Sequence, residues 1–209
     1  QPFVEFEWAA GNGYTVTPGL KYLNITRSVD ANVQATTRVP DHSSLTYKDS
    51  LPFLTVNKKI NDGLAAYAQY AKGFLIPDLN TFYVANSGKN TTDPQKTTNY
   101  QLGIVGQSDK FTWDLDLYRI DFTNKATTIT VNGVADHIEN IGGVRYEGIE
   151  GQMTYVLGGG FAVYANGSVN NTRINDTGKE TTGAPNMTAA LGALYSAGPL
   201  SSSLIMKRV

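Results

Sequence analysis

Apolar residues recur at every second position over strand-length stretches, and two unlike kinds of connection separate those stretches. The clearest case runs from Asn57 to Tyr83, NKKINDGLAAYAQYAKGFLIPDLNTFY. An Asn61-Asp62-Gly63 turn leads into a segment with Leu64, Ala66, Ala68 and Tyr70 on one face and Ala65, Tyr67, Gln69 and Ala71 on the other. Successive side chains of a strand point to opposite faces, and Asp-Gly is among the strongest short hairpin signals. The pattern stops at Pro77, and a polar segment runs to Thr98. The rest of the chain repeats this unit of short turn, long strand and long loop.

The same period predicts strands at Phe3–Ala10, Tyr14–Arg27, Leu51–Ile60, Leu64–Leu75, Thr98–Gln107, from Phe111, Val144–Leu157, from Phe161, from Met187, and after Gly198-Pro199. Pro18 removes a ladder donor from the second of these, so an edge, a bulge or a local irregularity is expected there. Apolar residues change parity after Leu117, to Tyr118, Ile120 and Phe122. That predicts either a bulge or a strand end that has left the apolar zone. Ser28–Asp49 reads as a polar loop, and Lys125–Gly143 as a loop with a small hairpin around Asn132-Gly133. Short turns near 12, 62, 109, 159 and 198 alternate with longer loops. The prediction is an all-β, antiparallel up-and-down meander of about ten strands.

Composition narrows the class. Charged residues are 17% of the chain and net charge is −1, so no overall basic field is expected to recruit nucleic acid or anionic lipid. Cysteine is absent, which removes disulfides, thiolate metal sites and thiol nucleophiles together. The opening QPFVEFEW has no signal-peptide pattern. The sequence begins in one strand pattern and ends, at SSSLIMKRV, in another. A piece of a longer chain is therefore expected.

Two solvents can produce such alternation. A soluble sheet packs its apolar face on a core; an outer-membrane barrel turns it to lipid and lines a wet interior with the other. Strand lengths suit the ~9–11 residues that cross a bilayer when tilted. Aromatics lie near strand ends at Trp8, Tyr14, Tyr22, Phe111, Trp113, Tyr155, Phe161 and Tyr195, where interfacial belts form. The expected location is a lipid bilayer crossed by strands.

Four stretches, taken in order, resemble the barrel of TonB-dependent outer-membrane receptors: FVEFEWAAGNGYTVTPGLKY, FLTVNKKINDGLAAYAQYAKGFLIPDLNTFY, PQKTTNYQLGIVGQSDKFTWDLDLYRIDFTN and GGVRYEGIEGQMTYVLGGGFAVYANGSVNNTRI. Members of that family have a barrel of roughly 22 strands closed by an internal plug. The resemblance implies that residues 1–209 are a portion of such a barrel without its plug, in the bacterial outer membrane. It also implies import of a scarce nutrient, such as an iron–siderophore complex, with TonB acting through a plug domain. The alternative is a self-contained ten-stranded outer-membrane barrel serving as an adhesin, small channel or surface enzyme.

Candidate sites are few. His42 and His137 fall in predicted loops, and neither has a second His or a Cys nearby for a metal. Close carboxylates occur at Glu5/Glu7, Asp114/Asp116 and Glu147/Glu150; a hydrophilic wall needs such residues without any catalysis, and no nucleophile motif accompanies them. No enzyme activity, cofactor or metal is expected. Asp78, Asn80, Phe82 and Tyr83 follow a strand end where aromatics and amides could line a vestibule and contact a ligand such as a siderophore. Arg119 and Arg145, near the loop ends of their strands, could meet an anionic ligand or pair with acids.

Overall fold

The structure is a computed structural model that describes residues 1–31, 41–77, 93–140, 142–181 and 184–209. Its strands are β1 (Phe3–Glu5), β2 (Trp8–Gly11), β3 (Tyr14–Ala31), β4 (Asp41–Asn61), β5 (Leu64–Leu75), β6 (Gln95–Gln107), β7 (Phe111–Thr123), β8 (Ala126–Val131), β9 (Val134–Asn140), β10 (Val144–Gly158), β11 (Phe161–Ile174), β12 (Met187–Ala197) and β13 (Leu200–Arg208). β8 and β9 form a separate hairpin; the other eleven strands make one sheet in the order β1-β3-β4-β5-β6-β7-β10-β11-β12-β13, with β2 also on β3. Every ladder between consecutive strands is antiparallel. Among the described residues no ladder joins β1 or β2 to β13, so the sheet is an open arc of a barrel.

The expected meander is present, with informative differences. The first predicted strand is broken at Phe6-Glu7, and its two pieces lie end to end along β3. Pro18 is the reason. Its carbonyl accepts from Phe6 N at 3.1 Å, so the donor Pro18 lacks faces the same side, where the first strand interrupts. On its other side the β3–β4 ladder passes Pro18↔Leu54 without a shift. The parity change after Leu117 involves no bulge: both ladders of β7 keep register from Thr112 to Phe122. The strand has simply left the apolar zone, and its opposite face now carries Phe122 against Tyr146, ring centroids 5.3 Å apart.

The segment read as a polar loop, Ser28–Asp49, is partly strand. β3 and β4 stay paired from Tyr14↔Lys58 up to Ala31↔Asp41, which places His42 on a strand. Thr26–Thr46 and Ser28–Ser44 hydroxyl contacts of 2.9 and 3.0 Å run across this extension. Polar side chains mask strand character in sequence because the apolar alternation here is only Leu45 and Tyr47 long.

Turn chemistry is also specific. Asn12-Gly13 (φ 49° and 75°) and Asn132-Gly133 (φ 51° and 79°) are both left-handed, as a type I′ turn requires. Gly63 is glycine for another reason: a Cβ there would lie 2.5 Å from the carbonyl oxygen of Gln107 on β6. Asn61 Oδ1 accepts from Gly63 N at 2.9 Å and closes that turn.

Register shows what the two faces are. One row runs Trp8–Val16–Val56–Ala68–Leu102–Leu117–Ile149–Val169–Met187, each residue opposite the next on the neighbouring strand. It starts close to a short turn and finishes at the first residue of β12, after a long connection. A perpendicular row that drifts from one rim toward the other means the strands tilt, as they must to close a barrel. This face has no second layer: Leu102 is 58% exposed, Leu117 53% and Val169 56%. Among the described residues only Leu23, Ile138, Val144 and Ala190 are buried hydrophobics, whereas Asp116 on the opposite face is only 8% exposed. The distribution is inside-out relative to a water-soluble sheet.

A charge on the apolar face therefore carries a depth-dependent cost, ~2–4 kcal/mol for Arg at the bilayer midplane. Leu102→Arg is expected to lower stability in lipid vesicles, read by urea unfolding, by that order. Thr112→Arg, at an exposed position on the polar face, is expected to change it by less than about 1 kcal/mol. Equal losses would contradict the assignment of faces.

Candidate functional site: the polar wall and the long-loop rim

The polar face is a hydrogen-bonded surface built from alternate residues of β5, β6, β7, β10, β11 and β12. Tyr67 donates its phenol proton to Asp116 Oδ1, and Gln101 Nε2 donates to the same phenol oxygen at 3.1 Å. Tyr67, Gly103 and Asp116 lie on adjacent strands at one level. A Cβ on Gly103 would stand 2.1 Å from Asp116 Oδ1 and 2.3 Å from the Tyr67 ring. The glycine thus gives the tyrosine a flat path across β6 to a partner two strands away.

The device recurs. Tyr118 donates to Asn170 Oδ1 across Gly148, where a Cβ would meet Tyr118 Oη at 2.9 Å and Asn170 Oδ1 at 3.0 Å. Toward the short-turn end, Gln152 Nε2 donates to Asp114 Oδ2 at 2.7 Å, Tyr164 Oη to Gln152 Oε1 at 3.3 Å, and Asn166 Nδ2 to Tyr164 Oη at 2.6 Å. Ser168 and Thr188 share a hydroxyl contact of 2.8 Å.

Asp116 and Glu150 are direct cross-strand partners, an arrangement of like charges that weakens a sheet on its own. With Asp114 they border a shallow hollow of about 360 Å³ that also touches Ser168 and Thr188. The wall is acidic there and suited to contact with water, cations or a complementary polar surface. His137, on the outlying hairpin, has Nδ1 2.8 Å from Asp136 Oδ2. Among the described residues no three His, Cys, Asp or Glu side chains converge as a metal-binding group.

Asp78, Asn80, Phe82 and Tyr83 lie outside the described residues. The structure does bring Arg119 and Arg145 together. Arg119 Nε and Nη2 donate to Asp121 at 2.9 and 3.4 Å, and Arg145 Nε donates to the same carboxylate at 2.9 Å. By strand alternation all three belong to the outward, apolar-row face, just beyond Tyr100 and Leu117. Nearby, Lys96 Nζ meets Asp49 Oδ2 at 2.7 Å and ties the β4 extension to β6. A lysine on β6 and an aspartate on the β4 extension have no sequence signal of proximity; the intervening β5 has already ended its ladder with β4 at Phe53↔Ala71.

A tilted, open, antiparallel arc with an exposed apolar face and a polar, acidic inner face has a close counterpart among known proteins. The sequence profile described as TonB dependent receptor-like, beta-barrel, matches residues 2–207. The chain belongs to that family. No curated protein matches it by sequence. Among solved structures, the copper transporter OprC shares 17% identity at a TM-score of 0.76, over 98% of this chain and 34% of that one. The ferric citrate transporter FecA, unliganded, shares 22% at 0.74, over 97% and 31%. The ferripyoverdine receptor of the outer membrane of Pseudomonas aeruginosa shares 18% at 0.67, over 93% and 25%. Identities this low establish the fold alone. The chain spans between a quarter and a third of the length of these proteins, so what is described is part of a receptor barrel.

Two outcomes test the wall. Gly103→Val is expected to displace Tyr67 and cost ~1–3 kcal/mol, the loss associated with an unsatisfied buried polar partner. Tyr67→Phe is expected to cost less, and the double variant Tyr67→Phe/Gly103→Val less than the sum, because both remove one contact. Outside the membrane, the Lys96 hydrogen bond is the main cause holding the Asp49 carboxyl below the usual carboxylate range. A lowered folded pKa stabilises above the unfolded value near ~3.9 and is lost as pH falls through the folded one. Backbone hydrogen exchange in the β4 extension should be flat from about pH 8 to 5, after correction for intrinsic rates, and rise only below about pH 4. Asp49→Asn should abolish that rise.

Proposed function

We propose that residues 1–209 are one stretch of the barrel domain of a TonB-dependent receptor that imports a scarce nutrient, such as an iron–siderophore complex, across the bacterial outer membrane. The observation that carries the reading is the inside-out sheet: nine strands share one uncovered apolar row, and the reverse face is polar and hydrogen-bonded. In hydrocarbon only a closed ladder satisfies every backbone group, and the free edges at β1/β2 and β13 call for further strands. That favours a larger barrel over a self-contained one.

In this reading the strands keep the shape of the pore and do no chemistry. A plug domain elsewhere in the protein fills the lumen against the acidic wall of Asp114, Asp116 and Glu150. TonB acts on that plug, and the long-loop end captures the ligand. Asp78, Asn80, Phe82 and Tyr83 contribute aromatic and amide contacts to the ligand there. Structural neighbours named for copper, ferric citrate and ferripyoverdine support a metal-containing cargo.

Deleting the gene for the full-length protein should abolish uptake of one radiolabelled metal chelate from a panel, and deleting tonB should do the same. Phe82→Ala/Tyr83→Ala should weaken binding of that chelate about tenfold while leaving the barrel folded. Unchanged uptake of every chelate in the deletion strain would sink the import reading.

A further inference from the structure

The outward face carries a concavity that import through the lumen does not use. Ala68 is the smallest side chain in its stretch of the apolar row, set between Val56 and Leu102. The dip it leaves is a groove of about 460 Å³ floored by Val56, Ala68, Leu102 and Leu117, with Tyr70 and Tyr100 at its long-loop end. Those two rings stand 5.4 Å apart, centroid to centroid, and tilted at 53°. Arg119 also lines the groove, as the cross-strand partner of Tyr100.

Beyond the groove the charge changes sign. Arg119 and Arg145 share the single carboxylate of Asp121. Each guanidinium has five donors; Arg119 gives Asp121 only Nε and Nη2, and Arg145 only Nε. Both side chains remain open to the surroundings, at 46% and 39% exposure. Lys72, on the same face, is near enough to Asp49 to act on its charge alongside Lys96. Glu147, opposite Arg119 in the β7–β10 ladder, is a second carboxylate beside the pair, but Arg173 stands opposite Arg145 in the β10–β11 ladder, and with Lys72 and Lys96 the band stays basic on balance.

An apolar slot that ends in two aromatic rings and then two exposed guanidiniums with spare donors, in a band basic on balance, matches one amphiphile. We propose that it binds a phosphate-bearing membrane lipid: one acyl chain lies in the groove over Ala68, and the phosphate accepts hydrogen bonds from Arg119 and Arg145. Bidentate geometry makes arginine the better phosphate partner than lysine. Charge complementarity selects an anionic headgroup over a neutral one. The site rests on the membrane reading above, since the groove faces lipid only if the apolar rows do.

The test is native mass spectrometry of the full-length protein in mild detergent with three probes: dipalmitoyl phosphatidic acid, dipalmitoylglycerol and inorganic phosphate. Wild type is expected to retain phosphatidic acid about tenfold better than dipalmitoylglycerol and not to retain inorganic phosphate. Ala68→Leu, which fills the groove with an apolar side chain, and Arg119→Gln/Arg145→Gln should each reduce phosphatidic acid retention about tenfold. Equal retention of the two lipids, retention unchanged in Ala68→Leu, or binding of phosphate alone would overturn the proposal. Membrane fractionation of each protein separates the two readings. Wild type absent from the membrane fraction would overturn both, whereas a membrane-resident protein that shows no phosphatidic acid preference would overturn this inference only.

Discussion

A peptide group in hydrocarbon has no water to bond, so each N–H and C=O must find a partner within the protein. That requirement governs this chain more than any side chain does. It explains a protein built almost wholly from antiparallel ladders and with almost no hydrophobic core. Neighbouring strands make the backbone bonds, and lipid takes the place that packed side chains occupy in a soluble fold. Pro18 marks the rule by exception: where one donor is missing, the adjoining strand breaks.

With the backbone satisfied, the two faces are free to specialise. The outward rows need only be apolar, and small residues such as Ala68 and Gly106 are tolerated where a large neighbour or lipid covers them; a Cβ on Gly106 would fall 2.2 Å from the Trp113 indole nitrogen. The inward rows face a harder constraint, because their polar atoms must be paired at a distance. Tyr67 and Tyr118 solve it by crossing a glycine on the next strand to reach Asp116 and Asn170. Aromatic coverage of strand glycines also pins register, so the same contacts hold the wall in place and leave it polar.

The rims follow from the end of the apolar zone. Phe111–Tyr155 and Phe161–Tyr195 ring pairs, at 6.2 and 4.5 Å, sit near the short turns. Tyr70 and Tyr100 stand toward the other end, level with Arg119, and immediately past them come Asp121 and Arg145. The passage from Leu117 to Arg119 within two residues along β7, level with the Tyr70 and Tyr100 rings, is the register of an interface between hydrocarbon and headgroups. Farther out, β3 and β4 continue as a paired ribbon held by hydroxyls and by Lys96–Asp49, no longer constrained to alternate.

The sequence by itself determined the strands that alternate, the hairpin at Asn132-Gly133, the split between short turns and long connections, and the two-faced character of the wall. Those are consequences of a two-residue period and of local turn chemistry, both written in neighbouring residues. It did not reveal the β3–β4 extension, because Leu45 and Tyr47 are too short an alternation to stand out in a polar stretch. Nor did it reveal the Tyr–Gly–acceptor bridges, the Arg119–Asp121–Arg145 cluster or the groove over Ala68. Each of these brings together residues of different strands, 24 to 52 positions apart in the bridges and the Arg145–Asp121 pair, and only ladder register decides which side chains stand level. Tertiary structure alone sets that register, since a slip of one residue would send every one of these groups to the opposite face.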